Sequence, residues 1–240
     1  MKGYIPTQHG AWAMLVIPFA FGMAASGPKI GHLLLFTAWL LVYLFSYPLL
    51  QWVRTGKKAI YKRPVLFYGC LLFPLAVWLL ILYPQLVWTA LFYGPLFLVN
   101  CFFASRNQER SLVNDLAAVL QFCSIVYVAF YTGGGYISGW GTVHELFMIS
   151  LLYFIGTIFY VKTMIREKNN KTFYWLSVTY HTAAFVVILT WFPKWLIIPF
   201  AVCLLRAIMT PKTKITIKQV GLLEFAYAIV LTIFVVSLYH

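Results

Sequence analysis

PVLFYGCLLFPLAVWLLILYPQLVWTALFYGPLFLVNCFFA, residues 64–104, contains no Asp, Glu, Lys or Arg and is broken only by the turn signal Tyr83-Pro84-Gln85. A helix needs about 20 mostly apolar residues to cross a bilayer. The stretch therefore reads as two antiparallel crossings, 64–83 and 85–104, joined back to back. Outward from it the same signature recurs at 11–27, 32–53, 115–132, 145–162, 173–191, 194–210 and 220–238. The expected fold is all-α: a polytopic membrane helical bundle of about nine transmembrane helices, forming one domain over residues 1–240.

Composition points the same way. Of the 240 residues, 62% are hydrophobic and 10% charged, against about 45–50% and about 25% in soluble domains. A soluble sphere of this length cannot hide that much apolar surface, and the natural solvent is a bilayer. The first segment begins with Lys2 and ends in Ala24-Ala25-Ser26-Gly27, as a secretory signal does. Gln8, His9 and Trp12 interrupt the apolar stretch of such a signal, so it is read as a retained helix.

The net charge of +13, from 18 Lys+Arg and 5 Asp+Glu, suggests nucleic acid on a soluble chain. Here position overrides sum. With the N-terminus inside, sixteen of the eighteen cations fall in inner regions, and only Lys29 and Lys194 lie outside. This is the positive-inside pattern. It places the protein in the cell membrane with a cytoplasmic N-terminus and an extracytoplasmic C-terminus, and it leaves no role for nucleic acid. Gly27-Pro28, Tyr83-Pro84-Gln85 and Phe192-Pro193-Lys194 read as tight outer turns, and the glycine-rich 132–141 as a longer flexible one. Cys70, Cys101, Cys123 and Cys203 lie in apolar runs without C-x-x-C spacing, so they read as core packing rather than a metal or disulfide site.

Polar side chains are costly in hydrocarbon, so their depth is informative. Gln51 and Arg54 end the second segment, and Asn100 lies one turn from the inner end of the fourth. Gln121 and His181 lie about 9 Å and about 12 Å into theirs at about 1.5 Å per residue. Arg206 and Glu224 each sit one turn from an inner end. All fall in the inner half. Either Gln8, Gln51, Asn100, Gln121, His181 and Glu224 line a cavity open to the cytosol, or each is satisfied by a neighbouring helix.

Three clusters stand out. In 6–14, Gln8 and His9 either face a ligand beside Gly10 or lie in water above an interfacial Trp12. In 106–115, Arg106 and Arg110 are spaced i,i+4, which on a helix puts both guanidiniums on one face. Glu109 and Asp115 accompany them, and Ser111 is a capping candidate for the fifth segment. In 162–171, Lys162 and Arg166 repeat the i,i+4 spacing. These four cations form a candidate basic lip for an anionic headgroup; the alternative is an ordinary snorkelling anchor. No compact catalytic motif, metal-ligand set or cofactor signature appears.

The stretches Pro6-Thr7-Gln8-His9-Gly10-Ala11-Trp12-Ala13-Met14, Glu109-Arg110-Ser111-Leu112-Val113-Asn114-Asp115-Leu116 and Tyr131-Thr132-Gly133-Gly134-Gly135 resemble the YwiC-like family of bacterial membrane proteins. The resemblance spans essentially the whole chain and implies location and bacterial origin, not a reaction. In layout, including Arg63-Pro64 at the start of the third segment, the chain also resembles the UbiA superfamily of intramembrane prenyltransferases. Those enzymes hold magnesium and a prenyl diphosphate on aspartate-rich inner loops. Here 44–63 has no carboxylate and 156–171 only Glu167, so no catalytic residue carries over.

Three functional classes fit these residues. One is an enzyme or binding protein for an isoprenoid or phospholipid headgroup, using Arg106, Arg110, Lys162 and Arg166 for the anion and His9, Glu109 or Asp115 for proton transfer. The second is a secondary transporter of a small anion, for which Gln121 and His181 are the near-midplane candidates. The third is a non-catalytic membrane subunit or assembly factor, with Ala20/Ala24 and Gly22/Ser26 as small-residue packing positions.

Overall fold

The computed structural model describes residues 4–6, 9–213 and 215–239, without the side chains of His9 and Ser138. The chain forms α1 (His9–Ser26), α2 (Ile30–Thr55), α3 (Lys58–Leu82), α4 (Val87–Ser105), α5 (Leu112–Cys123), α6 (Ile125–Thr132), α7 (Gly141–Ile165), α8 (Lys171–Trp191), α9 (Ile197–Met209) and α10 (Ile217–Tyr239). Among the described residues there is no strand. α5 and α6 run end to end as one span, 112–132, interrupted at Ser124, whose Oγ lies 2.9 Å from the Gln121 carbonyl and 3.0 Å from the Tyr93 hydroxyl. Among the described residues, eight spans are long and apolar enough to cross a membrane. α1, with 18 residues, stands at the short end of what suffices.

Most helices outrun the apolar stretches that announce them. α3 is the extreme case. It opens at Lys58, with Pro64 well inside it, not at Arg63-Pro64 as the sequence suggests. Long cationic side chains let a helix continue past the hydrocarbon edge while their heads stay in water.

Side-chain contacts sort the helix ends onto two faces. Arg54 at the end of α2 reaches Glu109 in the α4–α5 loop, and Lys162 near the end of α7 reaches Asp115 in the first turn of α5. Tyr174 of α8 donates to the Ile208 carbonyl near the end of α9. These ends form a basic face. On the opposite face, His32 Nε2 lies 2.9 Å from the Ala129 carbonyl of α6, and Tyr239 donates to Glu145 at the start of α7. The glycine-rich turn also lies there, packed against its neighbours. A Cβ at Gly133 meets Ser26 and His32, and one at Gly135 meets the Phe130 ring.

α1 is the seam between two cores. Leu15 and Phe19 pack with α2, Leu79 of α3 and Ile125 and Ala129 of α6. Ile17 and Phe21 pack with α5–α10. Each pair is spaced i,i+4, so the two stripes take opposite sides of one helix. Gly22 lets α1 approach the α6 backbone at Val126, where a Cβ has no room. Gly22 and, against Gly133, Ser26 thus serve packing within the chain. α7 is the most enclosed span, and α4 has no buried residue but Ala104.

Candidate functional site

At the basic face the site begins where α4 stops. Asn107 takes a left-handed conformation, φ 57°, after Ser105, so the chain leaves the helix before Arg110. Arg106 and Arg110 therefore do not share a helical face as their spacing suggests. Arg106 instead folds over the Phe102 ring at 4.3 Å. Ser111 caps α5 by accepting from the Asn114 N–H, 3.2 Å. The Asn114 side chain in turn donates to the Glu109 carbonyl, 2.6 Å. The loop is thus fixed from both ends. Glu109 accepts from Gln51 at 3.3 Å and from Arg54 at 3.0 Å, and Arg54 also donates to Asn107.

A second ionic contact ties the loop to α7. Lys162, buried near the end of that helix, donates to Asp115 at 2.7 Å and to the Arg110 carbonyl at 2.6 Å. Both of its short contacts are to protein, so it positions the loop and is not free for a ligand. Arg110 and Arg166 are exposed and close enough to Asp115 to act on it electrostatically. Neither guanidinium has a hydrogen-bond or ion-pair partner among the described residues.

A different polar centre lies inside the α7–α10 bundle. Arg206 of α9 is ion-paired to Glu224 of α10, and its guanidinium sits over the rings of Tyr160, 4.3 Å, and Tyr227, 4.9 Å. The Thr210 hydroxyl donates to the Arg206 carbonyl, 2.7 Å, and lies 3.1 Å from the Tyr160 hydroxyl. His181 of α8 is buried, with Nδ1 2.8 Å from the Ser177 carbonyl. Tyr153, Gly156, His181 and Cys203 line a small cavity of about 10 Å³ between α7, α8 and α9. A protein cavity needs about 10–15 Å³ to hold one water.

The inner polar residues therefore divide. Gln51, Glu109 and Asp115 belong to the basic face, and His181 and Glu224 to the buried centre. Asn100 donates to the Leu96 carbonyl of its own helix, 2.9 Å. Gln121 is half-buried in the last turn of α5. Gln8 and the side chain of His9 lie outside the described residues, as do Lys2 and Lys214 from the charge tally. Among the described residues, no hydrogen bond or ion pair links Gln51 or Asn100 to His181 or Glu224. Sequence reading noted Arg206 for its depth but left it off the site, and it missed Tyr153, Thr157 and Ser177. A signal was present: Tyr153, Thr157 and Tyr160 form an i,i+4,i+7 polar stripe on α7 around Gly156.

The loop that builds the basic face falls within residues 5–130, and a family model described as "YwiC-like protein" matches those residues. The chain belongs to the YwiC-like family. It is 38% identical over 231 residues to a Bacillus subtilis (strain 168) protein described as "Uncharacterized protein YwiC", covering 95% of each chain. It is 31% identical over 229 residues to a Haemophilus influenzae (strain ATCC 51907 / DSM 11121 / KW20 / Rd) protein described as "Uncharacterized protein", covering 94% of each. Both relatives extend across the buried centre as well as the loop site of this YwiC-like chain. No solved structure matches it.

Proposed function

We propose that this YwiC-like protein resides in the cell membrane with its basic face toward the cytosol, and that this face binds an anionic lipid headgroup. Arg110 and Arg166 supply the charge. The N-terminus is cytoplasmic and the C-terminus extracytoplasmic on this reading. One observation carries it: two exposed guanidiniums flank an Asp115 already neutralised by Lys162, in a loop fixed by a cap and two ion pairs. Guanidinium forks match phosphate oxygens in bidentate geometry. A phosphate or diphosphate on an isoprenoid or a phospholipid offers the matching group, and its chain extends into the surrounding hydrocarbon. Arg106, held over Phe102, stands at the edge of the same loop.

In this reading Lys162 has a supporting role. It holds the Arg110 backbone and Asp115 in place, and its own charge is satisfied by protein. Glu109 does the same for the α2 side of the loop.

The test is native mass spectrometry of gently purified protein, comparing wild type with Arg110→Gln/Arg166→Gln. Wild type should retain a phosphate-bearing lipid, and the double variant should lose most of it while remaining folded. Equal retention in the two proteins contradicts the proposal. Robust substrate counterflow in proteoliposomes by both would favour anion transport instead.

A further inference from the structure

Nine buried side-chain polar atoms lack a hydrogen-bond partner among the described residues, and seven belong to the centre inside α7–α10. They are the hydroxyls of Tyr153, Thr157 and Ser177, His181 Nε2, Arg206 Nε and Nη2, and Glu224 Oε2. Buried polar atoms are normally satisfied, by protein or by ordered water. Thr157 lies within reach of Tyr153 and Glu224; His181 Nε2 and the two Arg206 nitrogens still lack a partner and point to an occupant.

The chemistry of the set narrows that occupant. Arg206 presents only donors. Glu224 Oε2 presents only an acceptor. His181 Nδ1 faces the Ser177 carbonyl at 2.8 Å, so its proton sits there and Nε2 presents a lone pair. An anion answers Arg206 but meets the Glu224 carboxylate and the imidazole lone pair. A metal cation answers those two but meets Arg206. Water donates and accepts, and so satisfies both kinds. The cavity beside Tyr153, His181 and Cys203, about 10 Å³, is the size for one water. Gly156 keeps it open on the α7 side: a Cβ there lies 3.1 Å from His181 Nε2.

We propose that this centre is a hydrated proton-binding site, with His181 Nε2 as the accepting atom and Glu224 as its counter-charge. The proton is delivered as hydronium. It passes through the internal water to Nε2 and leaves that water neutral, so the centre gains one positive charge. Release is the reverse. Several titratable groups surround this centre. Tyr153 and Tyr160 stand on α7, Tyr180 beside His181 on α8, and Cys203 and Arg206 on α9. Glu224 and Tyr227 stand on α10. α1, also packed on α7 and α10, brings no titratable side chain between Gly10 and Ser26. Glu224 is the only anion in this group and Arg206 the opposing cation, so the carboxylate decides whether a second positive charge is tolerated.

The experiment is ¹⁵N-histidine NMR of the full-length protein in lipid nanodiscs across pH, with His181→Gln identifying the His181 signal. In wild type that ring should pass reversibly from the Nδ1–H neutral form to the doubly protonated form while the protein stays folded. Magnetisation should also transfer to it from water. In Glu224→Gln the protonated fraction at a given pH should fall about tenfold, the effect of losing one nearby opposite charge. If that variant fails to fold, Glu224→Asp replaces it, and a displaced titration of His181 is expected. A His181 locked in one neutral form over the whole folded range overturns the proposal. So does a ring without water contact, or a titration unmoved by either Glu224 variant. These outcomes are independent of headgroup binding at Arg110 and Arg166.

Discussion

Arg54–Glu109 and Arg206–Glu224 are both Arg–Glu pairs between separate segments, yet they sit in opposite surroundings. The first lies at the basic face, with side chains 40% and 22% exposed; the second is inside the bundle, at 1% and 11%. Water stands in for a lost partner in the first case. In the second no bulk solvent reaches the orphaned charge, so one pair is a fastener and the other a commitment of the fold.

The largest effect is expected where that difference is greatest. Glu224→Leu leaves Arg206 as an uncompensated buried cation and should destabilise the protein by about 3–5 kcal/mol in reversible unfolding from mixed micelles. Arg206→Met with Glu224→Leu removes both charges and should recover most of the loss, because an apolar substitute for a whole buried pair is often neutral or better. A double variant as unstable as the single one would break the comparison. Lys162→Met falls between. It removes contacts to Asp115 and the Arg110 carbonyl from a mostly buried ammonium, and should cost about 1.5–3 kcal/mol by the same unfolding measurement. Arg54→Gln should cost less than about 1 kcal/mol, a loss that shrinks further in high salt. A salt-independent loss as large as that of Glu224→Leu would mean the loop pair is as essential as the buried one.

The same contrast shows what a reader of the sequence can and cannot see. The crossings were legible because each demands a long apolar run, and 64–104 alone fixes two of them. The Ser111 cap was legible because its partner is three residues away. The Arg106/Arg110 face was misread, since left-handed Asn107 ends the helical register that i,i+4 spacing assumes. The packing of the glycine-rich turn was not legible, because its partners, Ser26 and His32, lie about a hundred residues away in the chain. Which helix is central was also hidden. Over their most apolar 18 residues, α7 and the span 84–105 have the same mean hydropathy, 1.7, yet 61% of the first stretch and none of the second is buried. In a bilayer, lipid and protein contacts are equally apolar, so hydropathy marks the span and not its neighbours. The better markers were Gly156, Thr157 and Ser150 on α7, small and hydroxyl residues that close helix packing favours.

The headgroup proposal rests on the basic face being cytosolic, and sidedness can be measured directly. In a background lacking Cys70, Cys101, Cys123 and Cys203, single cysteines placed at Lys168 in the α7–α8 loop and at Ile137 in the α6–α7 turn are exposed to a membrane-impermeant thiol reagent in intact cells. A cytosolic basic face predicts labelling at position 137 at once and at position 168 only after the membrane is permeabilised. Labelling at 168 in intact cells, with 137 protected, would place the basic face outside and contradict the headgroup proposal.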